Sequence, residues 1–198
     1  KQGFHVHKPS INRSSYRYEV VEDGILFSLG AIKGVGIQAL REIMNARKEK
    51  PFEDLFDFCL RVSLRVVNRK TLEHLIHAGC FDEFGKDRAV LLATLDVAIE
   101  HAQLIKPDDL QYGLLLDDGL GIKPKYVEVE PIPIEVKLQN EKQVIGMFLS
   151  EHPTFMYREL FRSINVHLID DLPYDRRGYK IGAYLTNERN IRTKNGEA

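Results

Sequence analysis

The stretch Leu29-Gly30-Ala31-Ile32-Lys33-Gly34-Val35-Gly36, followed by Leu40 and Ile43, constrains the fold more than any other part of the chain. Two glycines around one apolar residue permit a tight reversal, because glycine accepts backbone angles that a Cβ forbids. Val35 is then placed to plug the angle between the joined segments. After Gly36, Ala39, Leu40, Ile43, Met44 and Ala46 recur at helical spacing, which predicts a helix to about Lys48. Such a turn leaves the first N–H groups of that helix without partners, and a phosphate can accept them. Contacts of this kind ignore base identity. The pattern also suits an ordinary glycine turn between helices. It does not suit a dinucleotide-binding loop, because the third glycine is missing and no long buried strand precedes it.

Around this turn the chain reads as mainly helical. Residues 1–18 look irregular or extended, and Glu22-Asp23-Gly24 is the turn of a short ribbon between Tyr18 and Phe27. Pro51 ends the first helix, and a short one is expected over Phe52–Leu60. Asn68 caps the next, with Leu72, Leu75 and Ile76 inward and Gly79 as its stop. The longest helix is expected over Asp87–Ile105, with Leu91, Leu95, Ala98, Ile99 and Ala102 on one stripe. Gly79-Cys80-Phe81-Asp82 would then be a second, weaker copy of the glycine turn, or a plain helical hairpin. Residues 106–133, rich in proline and acids, read as a linker. Pro133 opens a helix to about Leu149, Thr154 caps a short one, and Ile181, Ala183 and Leu185 alternate as in a strand before a turn at Lys194-Asn195-Gly196.

Charge is uneven along the chain. The net value is only −1, yet Arg47/Lys48, Arg61, Arg65 and Arg69/Lys70 cluster in the first half while acids gather later, a balance compatible with local phosphate contact. No apolar run is long enough to span a bilayer and there is no signal sequence, so no membrane partner is expected. Cys59 and Cys80 lack metal spacing or a disulfide framework, which fits a reducing, cytoplasmic setting. His5 and His7 lack further ligands nearby, and a surface pair is the better reading. The acid pairs Asp108/Asp109, Asp117/Asp118 and Asp170/Asp171 read as solvated loop carboxylates. Neither an active site nor a cofactor site emerges. The start at Lys1 without methionine reads as a piece of something longer.

Taken together, several blocks resemble the alpha subunit of bacterial DNA polymerase III, the DnaE class. They are Pro9–Ser14, Gly30–Gly36, Pro51-Phe52 through Asp57-Phe58, Val67-Asn68-Arg69, Leu72–Ile76 with Ala78–Asp82, Arg88-Ala89, and Glu141-Lys142 through Gly146–Pro153. The resemblance implies a mainly α fold: a tandem helix-hairpin-helix domain with a small β-ribbon on its N-terminal side and the first strands of an incomplete OB-fold at the C-terminus. Residues 1–29 would end the fingers region, 30–105 form the hairpin domain, 106–133 a linker, 134–175 a helical connector, and 176–198 the opening of the OB-fold. Duplex DNA would be held by Lys33, Gly34, Val35, Gly36, Arg41, Gly79, Phe81 and Lys86. The polymerase aspartates of that family lie upstream, so DNA-directed DNA polymerase activity, with its expected Mg²⁺, would belong to the parent protein.

The family also carries a sliding-clamp motif after the long helix, and Gln111, Tyr112, Leu114, Leu115 and Leu116 occupy that place. A glutamine-led extended peptide with apolar anchors suits a groove on a partner. Tyr112 departs from the motif, and Leu115 replaces the usual phenylalanine. Leu40 likewise stands where many hairpins carry alanine. Duplex DNA, the clamp and other parts of the polymerase are therefore the expected partners. The alternatives are a scaffold whose hairpins pack only against protein, or an error-prone or repair relative of the same class.

Overall fold

In the computed structural model, which describes residues 5–106, 124–172, 175 and 177–185, the N-terminal ribbon has one strand more than the sequence indicated. Strands β2 (Glu19–Val21) and β3 (Gly24–Leu26) pair antiparallel as expected. Strand β1 (His5–His7) adds in parallel to the other edge of β3, giving the order β1-β3-β2. Residues 5–7 thus take the extended form of the expected irregular or extended lead-in and pair within a sheet. Three residues are too few for alternation to register, and the pairing uses backbone groups that nearly every residue carries.

Four helices follow: α1 (Ile37–Ala46), α2 (Leu55–Arg61), α3 (Arg69–His77) and α4 (Arg88–Ile105). Side-chain caps fix three of their starts. Asp54 accepts from Asp57 N at 2.9 Å, Asn68 from Thr71 N at 3.0 Å and Asp87 from Ala89 N at 2.8 Å, each contribution being about 1 kcal/mol. Helix α2 starts three residues later than expected because Phe52 is held outside it. The Phe52 N–H donates to Asn12 Oδ1 at 2.7 Å, and its carbonyl accepts from Asn12 Nδ2 at 2.8 Å. The expected stripes are inward: Leu40 and Ile43, Leu72, Leu75 and Ile76, and Leu91, Leu95 and Ala98 all lie in one buried cluster with Ile11, Phe56 and Phe58.

Helix α5 (Ile134–Ile145) follows Pro133 and packs on α3. Contacts divide the chain into Lys1–Ser150 and Glu151–Ala198, and α5 lies in the first unit. The tie is a buried ion pair, described below, whose partners are far apart in sequence. The second unit contains a 3-10 segment (Pro153–Tyr157), helix α6 (Arg158–Ser163), and strands β4 (Val166–His167) and β5 (Lys180–Ile181) paired in parallel. His152 and not Thr154 caps the 3-10 segment, its Nδ1 accepting from Thr154 N at 3.3 Å. The linker positions 107–123 and the turn at 194–196 lie outside the described residues.

Candidate nucleic-acid interface

A single 3-10 turn, Leu29–Ala31, leads into the first glycine turn, with Ser28 Oγ accepting from Gly30 N at 3.0 Å. The hairpin's first arm is thus shorter than a helix. Lys33 N donates to Val144 O at 2.8 Å and Val35 N to Ile32 O at 3.2 Å. Val35 is 8% exposed and plugs the angle as the sequence implied. Gly34 is in the left-handed region, φ +82°, which a side chain rarely adopts. Gly36 is the N-cap residue of α1 and brings no side chain to cap it. Among the described residues no acceptor takes the N–H of Gly36, Ile37 or Gln38. These groups border a surface hollow of 460 Å³ lined by Gly34, Gly36, Gln38, Arg65 and Asn68. Arg41 lies beside a second hollow, of 300 Å³, with Tyr16, Met44 and Lys48; Ile37 borders both hollows. Of the expected residues, Gly34 and Gly36 line the first hollow and Arg41, about one turn into α1, the second; the exposed Lys33 adjoins Gly34 in the chain and lines neither.

The second turn is built alike and closed. Gly79 has φ +83°, but it is buried, and a Cβ there would lie 2.3 Å from Arg88 Nη2. Phe81 is 0% exposed and stacks edge-on against Phe58 at 5.1 Å. Neither residue presents a surface to a phosphate, which corrects their placement among the DNA-binding positions. The cause is Arg88, itself 1% exposed. It donates to both Asp82 oxygens at 2.9 and 2.8 Å, to His77 O at 2.8 Å and to Glu141 Oε2 at 3.2 Å. Glu141, fully buried on α5, also accepts from Leu149 N at 2.6 Å and Ser150 N at 2.7 Å. Burial opposes ionisation of Asp82, but the hydrogen bonds and charge of Arg88, helped by Lys8 and Lys137, outweigh it and hold its carboxyl below the usual range. Lys86 is exposed, with its ammonium 4.9 Å from the centre of the Tyr126 ring.

Several basic residues that read as a phosphate-binding series are engaged within the chain instead, Arg61 and Arg47 on carbonyls and Arg69 in ion pairs at the surface. Arg61 gathers the carbonyls of Ala46, Lys50 and Pro51 and lies 4.6 Å over the Phe52 ring. Arg47 donates to Ile11 O at 2.8 Å, and Arg69 pairs with Asp96 and Glu73. Counting charge along a chain does not show which guanidinium groups satisfy buried carbonyls. Conversely, Arg65, Asn68 and His74 stand beside the first turn and were not among the expected site residues. The sequence signal for two of them was their membership of the blocks around Val67–Arg69 and Leu72–Ile76. Both cysteines are buried and free; burial pushes the Cys59 thiol up to about 12, and Cys80 well above its ordinary value.

Among the described residues no group of three or more His, Cys, Asp or Glu side chains is arranged to hold a metal. His7 pairs instead with Asp23 at 2.8 Å. No described helix is long and apolar enough to cross a membrane.

Comparison with known proteins agrees with this geometry. Residues 3–91 match the helix-hairpin-helix motif family, a stretch that holds α1 to α3, the start of α4 and both glycine turns. Beyond it, the chain is homologous over its full length to a segment of the alpha subunit of bacterial DNA polymerase III. It is 46% identical to DNA polymerase III subunit alpha of Bacillus subtilis over 196 residues, which is 98% of the chain and 18% of that relative. The corresponding protein of Halalkalibacterium halodurans is 37% identical over 100% of the chain and 17% of its own length. That of Vibrio cholerae is 34% identical over 98% of the chain and 18% of its own length. The chain thus spans less than a fifth of these relatives.

Proposed function

We propose that this chain grips duplex DNA by its backbone through the Gly34-Val35-Gly36 turn, as part of a bacterial replicative polymerase. The observation that carries the reading is the uncapped N-terminus of α1: its first N–H groups have no acceptor among the described residues and they open on a surface hollow. A helix N-terminus offers aligned donors and a partial positive charge, which suits phosphate and reads no sequence. The exposed Lys33, next to Gly34 in the chain, and Arg41, about one turn into α1, supply positive charge in the same stretch.

The test is a Gly36→Leu variant. A Cβ at this position meets nothing within 4 Å, and its φ of −75° suits any residue. Folding should therefore be preserved while the side chain obstructs the approach of a phosphate. Duplex affinity should fall equally for unrelated sequences. Unchanged affinity at low salt would leave the scaffold alternative, in which the hairpins contact only protein.

Clamp binding through Gln111–Leu116 forms part of the same proposal and rests on the family's motif. Deleting residues 111–116 should abolish retention on the sliding clamp. In the parent protein, polymerase chemistry with Mg²⁺ in the cytoplasm is the corresponding expectation, and the segment from residue 176 is read as the opening of an OB-fold.

A further inference from the structure

The peptide between Lys33 and Gly34 is held from two directions by residues remote in sequence. From α5, the Val144 carbonyl accepts the Lys33 N–H at 2.8 Å. From α3, the His74 ring places Nδ1 2.5 Å from the Lys33 carbonyl oxygen. A carbonyl only accepts, so the ring's N–H is on Nδ1. Thr71, three residues earlier and hence on the same face of α3, puts its hydroxyl 3.5 Å from the Gly34 carbonyl. The ring also fills the room the glycine leaves, since a Cβ at Gly34 would lie 2.3 Å from His74 Nδ1. The orientation of this peptide sets where the chain enters α1 two residues later, and so where the unpaired N–H groups of Gly36, Ile37 and Gln38 point.

We propose that His74 is a positioning residue for DNA-backbone binding: by holding the Lys33 carbonyl it fixes the aim of the donors at the start of α1 without itself touching the nucleic acid. This rests on the DNA-backbone reading of the first turn. The ring acts through neutral backbone groups, so its loss removes no cation from a phosphate. That separates it from Lys33.

The chain with His74→Ala, His74→Gln, His74→Asn and, as reference, Lys33→Ala is titrated against a duplex over a range of salt. An asparagine amide places an N–H near the position of Nδ1, whereas glutamine reaches past it. His74→Ala and His74→Gln should each weaken binding by roughly ten-fold, the upper range for one lost hydrogen bond, and His74→Asn should restore most of it. The slope of log affinity against log salt should be unchanged in all three, while Lys33→Ala should reduce it by about 0.9. A slope reduced by His74→Ala would make the ring a direct cationic contact and overturn the proposal; so would affinity unchanged in every His74 variant. Amide exchange gives a reading that does not depend on DNA. The N–H groups of Lys33 and Val35 should lose protection in His74→Ala and His74→Gln and regain it in His74→Asn, and unaltered exchange would overturn His74's hold on the turn. A chain that binds no duplex at all refutes the DNA reading itself, and the exchange result then decides the role of His74 in the turn.

Discussion

Gly34 and Gly79 have nearly the same backbone angle, φ +82° and +83°, and each is met by a nitrogen-bearing side chain where a Cβ would stand, His74 in one case and Arg88 in the other. Their fates nevertheless differ. After Gly34 the chain inserts one valine and then starts an uncapped helix at the surface. After Gly79 it sends Cys80 and Phe81 into the core, and Asp82, Arg88 and Glu141 close over the turn. The lesson is that a glycine sets the shape of a turn, while the residues that follow decide whether its donors stay available. The tandem arrangement thus pairs one open turn, suited to a ligand, with one closed turn that fastens α4 to α5.

The largest effect should come from opening the closed turn. Arg88→Ala leaves the fully buried Glu141 without its cation and should reduce the free energy of unfolding by about 3–5 kcal/mol, measured by urea denaturation. A loss under about 1 kcal/mol, the size expected of a surface pair, would show that the ion network does not hold this turn. Alanine at each glycine tests the comparison directly. The left-handed angle alone should cost about 1–2 kcal/mol at either position, with a larger loss at Gly79, where the side chain that must move is the buried, paired Arg88 and not the half-buried His74 ring. Only Gly34→Ala should weaken duplex binding; equal effects of both on affinity would break the contrast.

Acid provides a milder probe of the closed turn. Asp82 is held below the ordinary carboxylate range, so its contribution is complete above about pH 4, the unfolded value. It is lost as pH falls through the lower folded value. Unfolding measured between pH 5 and pH 2.5 should show this loss, and Asp82→Asn should flatten part of that slope. The smallest effect is expected at the open turn, where Gly36→Ala should change stability by no more than about 0.5 kcal/mol, because nothing surrounds the added methyl. A clear destabilisation would mean that the hollow beside α1 is tighter than its geometry shows.

Local chemistry made much of the fold legible. Asn68 and Asp87 announced the starts of α3 and α4, and the stripes Leu72-Leu75-Ile76 and Leu91-Leu95-Ala98 announced their buried faces, because both signals act within one or two helical turns. The first glycine turn was legible for the same reason. Strand β1 was not, since three residues joined through backbone bonds leave no side-chain pattern. Nor was the inward use of Arg61, which depends on three carbonyls converging at the end of α1.

By itself the sequence determined that Gly34-Val35-Gly36 reverses the chain and begins a helix, since glycine permits the angle and the apolar spacing propagates the helix. It also carried the likeness to the polymerase alpha subunit, block by block. Only the tertiary structure decided which of two similar turns remains open. Arg88 meets Glu141 across 53 positions and His74 meets Lys33 across 41. Partners so distant in the chain come together only when the shared core is packed, and a buried guanidinium then seals one turn while an imidazole braces the other.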